Sequence, residues 1–273
     1  MPDLPRSFSH SSASTYKQCP RRWKHRYIDK WADPPGPAAL IGQFAHDVLE
    51  QLCKEPPDFR TLKKAKEFAA NIWPKISERS DFKNLKLSEA EQLEFRWKSW
   101  HAIEGLWKLE DPSTVEVEAT EQRVSTSLSG VPFLGYIDRL DRCEDGLVVT
   151  DYKSGNLPKY GNDSLKQVLL YAAAVANKTG EQPTRARLLY LGKKIIETEV
   201  SDLEISEVTK DLYDTWESLR INCENNEFKA VTTQLCGWCS FVSQCPEGEK
   251  YVKKQVRAGR MKAEAPARIK LGI

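Results

Sequence analysis

The sequence predicts an α/β fold built on a mixed sheet. Two observations carry this. Between Thr114 and Leu203 apolar residues alternate with a period of two, which is the strand signature, and the run of strands is interrupted once by an Ala- and Leu-rich helical segment. The resulting order, β-β-β-β-α-β, requires a strand-to-helix crossover. On either side of this stretch the period is helical.

The elements follow in order. A Ser-rich start leads into a helix within Phe8–Trp31, for which Ser11, Ser12 and Ser14 are candidate N-caps. The run Asp33-Pro34-Pro35-Gly36-Pro37 ends it, and a second helix spans about Ala38–Lys54. Residues 60–110 read as a helical insertion, with Leu93, Trp97, Trp100, Ile103 and Trp107 spaced as a core face. Strands are expected at Val115–Ala119, Gln122–Leu128, Val131–Leu140, Leu147–Lys153 and Arg187–Leu191, with a helix over about Asn162–Asn177 before the last. A further helix runs from Asp202 to about Asn222. A Cys-rich loop follows, and then a tail from Lys250 with eight Lys or Arg and one acid, Glu264, which reads as a solvated basic segment. The whole is expected to form one domain, with 1–59 and 204–249 flanking a core at 111–203 and the tail at 250–273.

Composition narrows the class. The 273 residues carry 41 Lys and Arg against 39 Asp and Glu, so bulk charge announces no polyanionic partner. No apolar run reaches membrane-spanning length, and Met1 to His10 lacks the apolar stretch of a signal peptide. Seven cysteines, an odd number, argue for a reducing, cytoplasmic compartment rather than a disulfide framework.

The chemistry concentrates at strand ends. In Gly146-Leu-Val-Val-Thr-Asp151-Tyr-Lys153 the alternation points Asp151 and Lys153 the same way, and a turn at Asp145-Gly146 folds the strand of Asp138 back beside them. Two carboxylates and an ammonium suit phosphodiester hydrolysis: the acids hold a hard divalent cation, and the lysine orients water or stabilises developing charge. A bare D-x-K is common as a surface ion pair. Its neighbours matter more. Gly42 and His46 lie four apart on one helix face, as do Gln167 and Tyr171.

Taken together, GQFAH, GYIDRLD, DYKSG and QVLLY resemble, in order, the motifs of the RecB-like branch of the PD-(D/E)XK nucleases. The resemblance implies a restriction-endonuclease-like core, with Mg²⁺ or Mn²⁺ bound by His46, Asp138, Asp151 and the carbonyl of Tyr152. It implies Lys153 as the catalytic lysine alongside Asp138 and Asp151. Gln167 and Tyr171 would contact the DNA backbone. Asp141 occupies a further motif position without a metal role. The implied reaction is exonucleolytic hydrolysis of single-stranded or end-bearing DNA, with recombination, repair or CRISPR adaptation proteins as companions. The alternative is a non-catalytic or zinc-stapled DNA-binding subunit of such a complex.

Cys236, Cys239 and Cys245 fall within ten residues, and Cys19 is the natural fourth ligand. Spacing alone leaves zinc and a [4Fe–4S] cluster open. Similarity to the CRISPR-associated and AddB-type iron–sulfur nucleases, with one cysteine before the core and three after it, implies the cluster, as a staple between the chain ends. Cys53, Cys143 and Cys223 lack such neighbours. Arg21, Arg22, Trp23 and Lys24 form a basic, aromatic helical patch suited to DNA, with cations for phosphates and a ring for an unpaired base.

Overall fold

The computed structural model describes residues 3–157 and 165–273. They gather into two compact units, residues 35–210 and a second made of residues up to 34 together with those from 211 onward.

The second unit begins with α1 (His10–Gln18) and α2 (Pro20–Tyr27). These are two helices rather than the single one expected. Pro20 disfavours helical backbone at the preceding residue, and Cys19 is accordingly extended, at φ −165° and ψ 108°. The cap of α1 is Ser9, whose hydroxyl accepts from Ser12 N–H, and not a serine further along.

The larger unit carries α3 (Pro37–Lys54), α4 (Leu62–Glu78), α5 (Ser80–Lys83) and α6 (Glu89–Glu104). A five-stranded sheet follows, in the order β1 (Glu116–Leu128), β2 (Val131–Cys143), β3 (Gly146–Lys153), β4 (Arg185–Tyr190) and β5 (Lys194–Glu199). Only β3 and β4 run parallel, and α7 (Leu165–Thr179) lies between them in sequence. The start of that helix as expected, at Asn162, falls outside the described residues. Ser129 and Gly130, at φ 50° and 85°, turn β1 into β2 with the left-handed geometry that a two-residue hairpin favours. The next turn consists of Glu144 and Asp145, with Gly146 already paired to Cys143. The two segments expected on either side of Thr120 are one strand with a register shift between Val117 and Ala119, and β5 went unseen.

Helices α3, α4 and α6 form an apolar core that includes Tyr152 and Leu189 from the sheet and Leu191 from the turn after β4. The expected stripe is divided: Ile103 belongs to this core and Trp100 and Trp107 pack against it, but its first two residues do not. Phe95, Ser99 and Ile103 are buried, whereas Leu93 and Trp97 are 64% and 59% exposed.

Helix α8 (Asp202–Asn225) crosses the boundary between units. Beyond it lie α9 (Pro246–Arg257) and α10 (Pro266–Lys270). The basic tail is therefore folded. Val252, Met261, Ala265 and Ala267 are buried with Val242, so the tail's cations flank a small core. Among the described residues no helix is long and apolar enough to cross a membrane.

Candidate functional site

Strand β2 outruns β3. Their pairing starts at Arg139↔Thr150, so Asp138 and Asp151 stand where the two strands part. Helix α3 reaches this point closely. A Cβ on Gly42 would come within 2.9 Å of Ser154 Oγ, which would have to turn aside. One turn later, His46 Nε2 donates to the Tyr152 carbonyl at 2.9 Å, and its Nδ1 lies 3.3 Å from Asp138 Oδ2. The same Asp138 oxygen accepts from Tyr152 N–H at 2.8 Å.

A third ligand-type residue completes this group. His46, Glu121 and Asp138 offer donor atoms that all lie within 4.8 Å of one another. Glu121 was not singled out from sequence. It sits in β1 between the pairs Thr120↔Arg139 and Gln122↔Ile137, which places it across from Asp138. Its φ of 46° is a left-handed conformation costing on the order of 1–3 kcal/mol in a non-glycine residue. The signal was present in the Ser129-Gly130 turn, whose position puts Glu121 opposite Asp138 in any tight hairpin.

Asp151 is buried and faces the other way from Tyr152, toward α7. Lys153 Nζ lies 2.7 Å from Asp151 Oδ2 and donates to Gln167 Oε1 at 2.8 Å. Gln167 Nε2 in turn donates to Asp151 Oδ1 and to the Tyr171 hydroxyl, both at 2.9 Å. Tyr171 is buried, at 7% exposure, and Gly135 leaves room for its ring: a Cβ there would stand 2.4 Å from Tyr171 Cε1.

The electrostatics follow from this crowding. Burial works against a charged His46, but the Asp138 and Asp151 carboxylates and the Tyr152 carbonyl outweigh it and push the imidazole up to about 9. Burial, then the Asp138 charge, raises Asp151 to about 6 against the pull of Lys153. Burial and Asp138 likewise raise Glu121 to about 7. Carboxylates are thus pressed together beyond what one lysine and one histidine neutralise, which is the electrostatic condition for binding a divalent cation. The cavity lined by His46, Glu121, Asp138 and Lys153 measures about 760 Å³ and also takes in Gly42, Asp47, Glu50 and a half-exposed Tyr136.

The other expected residues lie in the second unit. Cys19, Cys236, Cys239 and Cys245 line one cavity there. Cys53 and Cys223 are buried elsewhere, and Cys143 ends β2. Trp23, expected to stack on a base, is fully buried: its Nε1–H donates to Ser12 Oγ and its ring stacks on Tyr27 and Phe228. The neighbouring cations are occupied, Arg21 by Glu247, Arg22 by Asp33 and Lys24 by Asp29. An aromatic residue among basic ones on an amphipathic helix marks the buried face as readily as a binding face.

Comparison with known proteins was consistent with this geometry. Two crystal structures are similar to the chain. One is of a protein from Eubacterium rectale to which an exonuclease activity has been attributed, at 13% identity over 88% of each chain and a TM-score of 0.46. The other is SSO0001, at 14% identity over 90% of this chain and 88% of that one, with a TM-score of 0.34. At scores under 0.5 these likenesses carry no functional weight. No curated protein matches. The family described as the PD-(D/E)XK nuclease superfamily matches residues 7–246, nearly the whole length. The chain belongs to the PD-(D/E)XK nuclease superfamily.

Proposed function

We propose that the chain is a RecB-like deoxyribonuclease that hydrolyses phosphodiesters from the ends of single-stranded DNA with Mg²⁺ or Mn²⁺. The observation that carries this is the convergence of His46, Glu121, Asp138 and the Tyr152 carbonyl beside the Asp151–Lys153–Gln167 chain. The donor set, an imidazole with oxygen ligands, fits Mn²⁺ and tolerates Mg²⁺. Those four residues, with Asp151, would hold the cation, which supplies Lewis acidity toward the phosphate and the attacking water. Lys153, held between Asp151 and Gln167, presents its ammonium to the charge developing on the phosphate. Gln167 and the buried Tyr171 keep that lysine in place. Tyr136, half exposed at the cavity wall, offers a ring to an unpaired base and favours single strands.

A [4Fe–4S] cluster on Cys19, Cys236, Cys239 and Cys245 belongs to the same reading. Four thiols lining one cavity support a shared metal group.

The test is digestion of end-labelled and circular single-stranded and duplex DNA with Mn²⁺. Asp138→Ala should lose both cleavage and Mn²⁺ binding. Lys153→Ala should lose at least about a hundredfold in rate, in the range seen for a lost electrostatic stabiliser, with Mn²⁺ affinity retained. Undiminished cleavage by pure Asp138→Ala protein would end the proposal.

A further inference from the structure

Four charged side chains gather behind the strands that carry Asp138 and Asp151, two of them buried and two, Glu110 and Arg187, half-buried. Arg139, with no exposed surface, donates through Nη2 to Asp141 Oδ2 at 3.1 Å, and its Nε and Nη1 lie 2.7 Å from Asp141 Oδ1 and 2.6 Å from Glu110 Oε1. Arg187 Nη2 lies 2.6 Å from Asp141 Oδ2 and 3.3 Å from Glu110 Oε2. Thr150 donates its hydroxyl to Asp141 Oδ2 and accepts from Arg187 Nε, both at 2.8 Å. Arg139 Nη1 also donates to the Tyr152 hydroxyl at 2.9 Å. Two cations and two anions balance, and Asp141, itself fully buried, is the hub.

Such a network is a poor way to stabilise a fold. Desolvating its charges is costly, and apolar residues of similar volume are often as stable or more so. Its distinguishing feature is where it is attached. Arg139 and Thr150 are paired across β2 and β3, and each is the chain neighbour of an acid of the site, Asp138 and Asp151. Tyr152 belongs to both sides: its hydroxyl is in the network, its N–H bonds Asp138 and its carbonyl bonds His46. Side chains alternate along a strand, so fixing the reverse face fixes the orientation of the acids in front.

We propose that Asp141, through Arg139, Thr150 and Tyr152, is a positioning residue that holds Asp138, Asp151 and the Tyr152 carbonyl at cation-binding separation. Directional charge-assisted bonds set that separation more sharply than apolar packing can, and small cations such as Mg²⁺ demand near-ideal ligand distances. The proposal rests on the cation-binding role given to the site above.

The experiment compares the full-length wild-type protein with Asp141→Asn and with the apolar replacement Glu110→Leu/Arg139→Met/Asp141→Val/Arg187→Met. Unfolding midpoint, Mn²⁺ affinity by electron paramagnetic resonance, and kcat on single-stranded DNA are measured. Phe95→Leu, a core change in α6 away from the network, serves as the stability-matched control. Asp141→Asn should weaken Mn²⁺ binding about tenfold, equal to about 1.4 kcal/mol, and lower kcat, while Phe95→Leu leaves both unchanged. The apolar replacement should recover the wild-type midpoint without recovering Mn²⁺ affinity. Wild-type Mn²⁺ affinity in the folded apolar variant would overturn the proposal. If that variant does not fold, equal affinities in Asp141→Asn and Phe95→Leu would overturn it. Mn²⁺ affinity is read without cleavage, so a wild-type protein that binds Mn²⁺ yet digests no DNA would sink the nuclease reading and leave this one to be judged by itself.

Discussion

At the scale of single residues, the site is a set of groups kept from their ordinary charge states by one another. His46 is held protonated by the two acids it faces, and Glu121 and Asp151 are held toward their neutral forms. A cation held there would have to displace those protons. Raised acid pKa values mean that protons compete below them, and the raised imidazole means that it competes up to about 9. Mn²⁺ affinity should therefore rise about tenfold per pH unit between pH 7 and 8.5 from His46 alone, and more steeply below 7, where Glu121 and then Asp151 add their protons. Calorimetric titrations at pH 6, 7 and 8 would check this, and His46→Gln should flatten the upper part of the profile. An affinity constant across that range would contradict the arrangement. His46, Asp138, Asp151 and Lys153 were legible as candidates because each sits in a short motif whose spacing fixes a face. Glu121 was not, because its role depends on the hairpin register, and the register depends on one turn. Trp23 misled because burial cannot be read from a residue's own neighbours in sequence.

At the scale of elements, α7 and the β1–β2 hairpin fit together at one point. Gly135 admits the Tyr171 ring, and Tyr171 holds Gln167, which holds Lys153 and Asp151. Gly135→Ala should push Tyr171 aside and carry the lysine with it. The expected result is a fall in kcat on the order of ten- to a hundredfold, typical of a misplaced catalytic group, with the protein still folded. Steady-state kinetics beside circular dichroism would separate this from global unfolding. By contrast, Leu93→Ser and Trp97→Ser on the exposed side of α6 should change stability by within about 0.5 kcal/mol, as surface substitutions usually do. Denaturant titration would measure it, and a large loss would mean that this face is covered. The sequence located α6 and part of its core face: Trp100 and Ile103 pack inward as expected, whereas Leu93 and Trp97 point outward and Phe95 and Ser99 take their place, since a helix apolar on more than one side has two candidate core faces. It located β3, β4 and the crossover helix, because buried strands read as unbroken apolar runs. It missed β5, a short strand whose Lys194, Glu197 and Glu199 are exposed and charged.

At the scale of the molecule, one unit is continuous in sequence and the other is assembled from both ends of the chain. Anaerobically purified protein should carry about four irons per chain and negligible zinc. Cys19→Ser should abolish the iron, whereas Cys53→Ser, Cys143→Ser and Cys223→Ser should keep it. Stoichiometric zinc without iron would remove the cluster and leave the nuclease reading in place. The split unit also imposes a schedule on biosynthesis. Cys19 leaves the ribosome more than two hundred residues ahead of Cys236. At about 5–20 residues per second that is a wait of roughly 10–40 s, through which the first thiol has no partner. His46, Glu121, Asp138 and Asp151 all emerge within that interval. On the proposed reading, the cation-binding centre can thus be complete while the chain is still tethered, before the remaining three thiols of the cluster have been made.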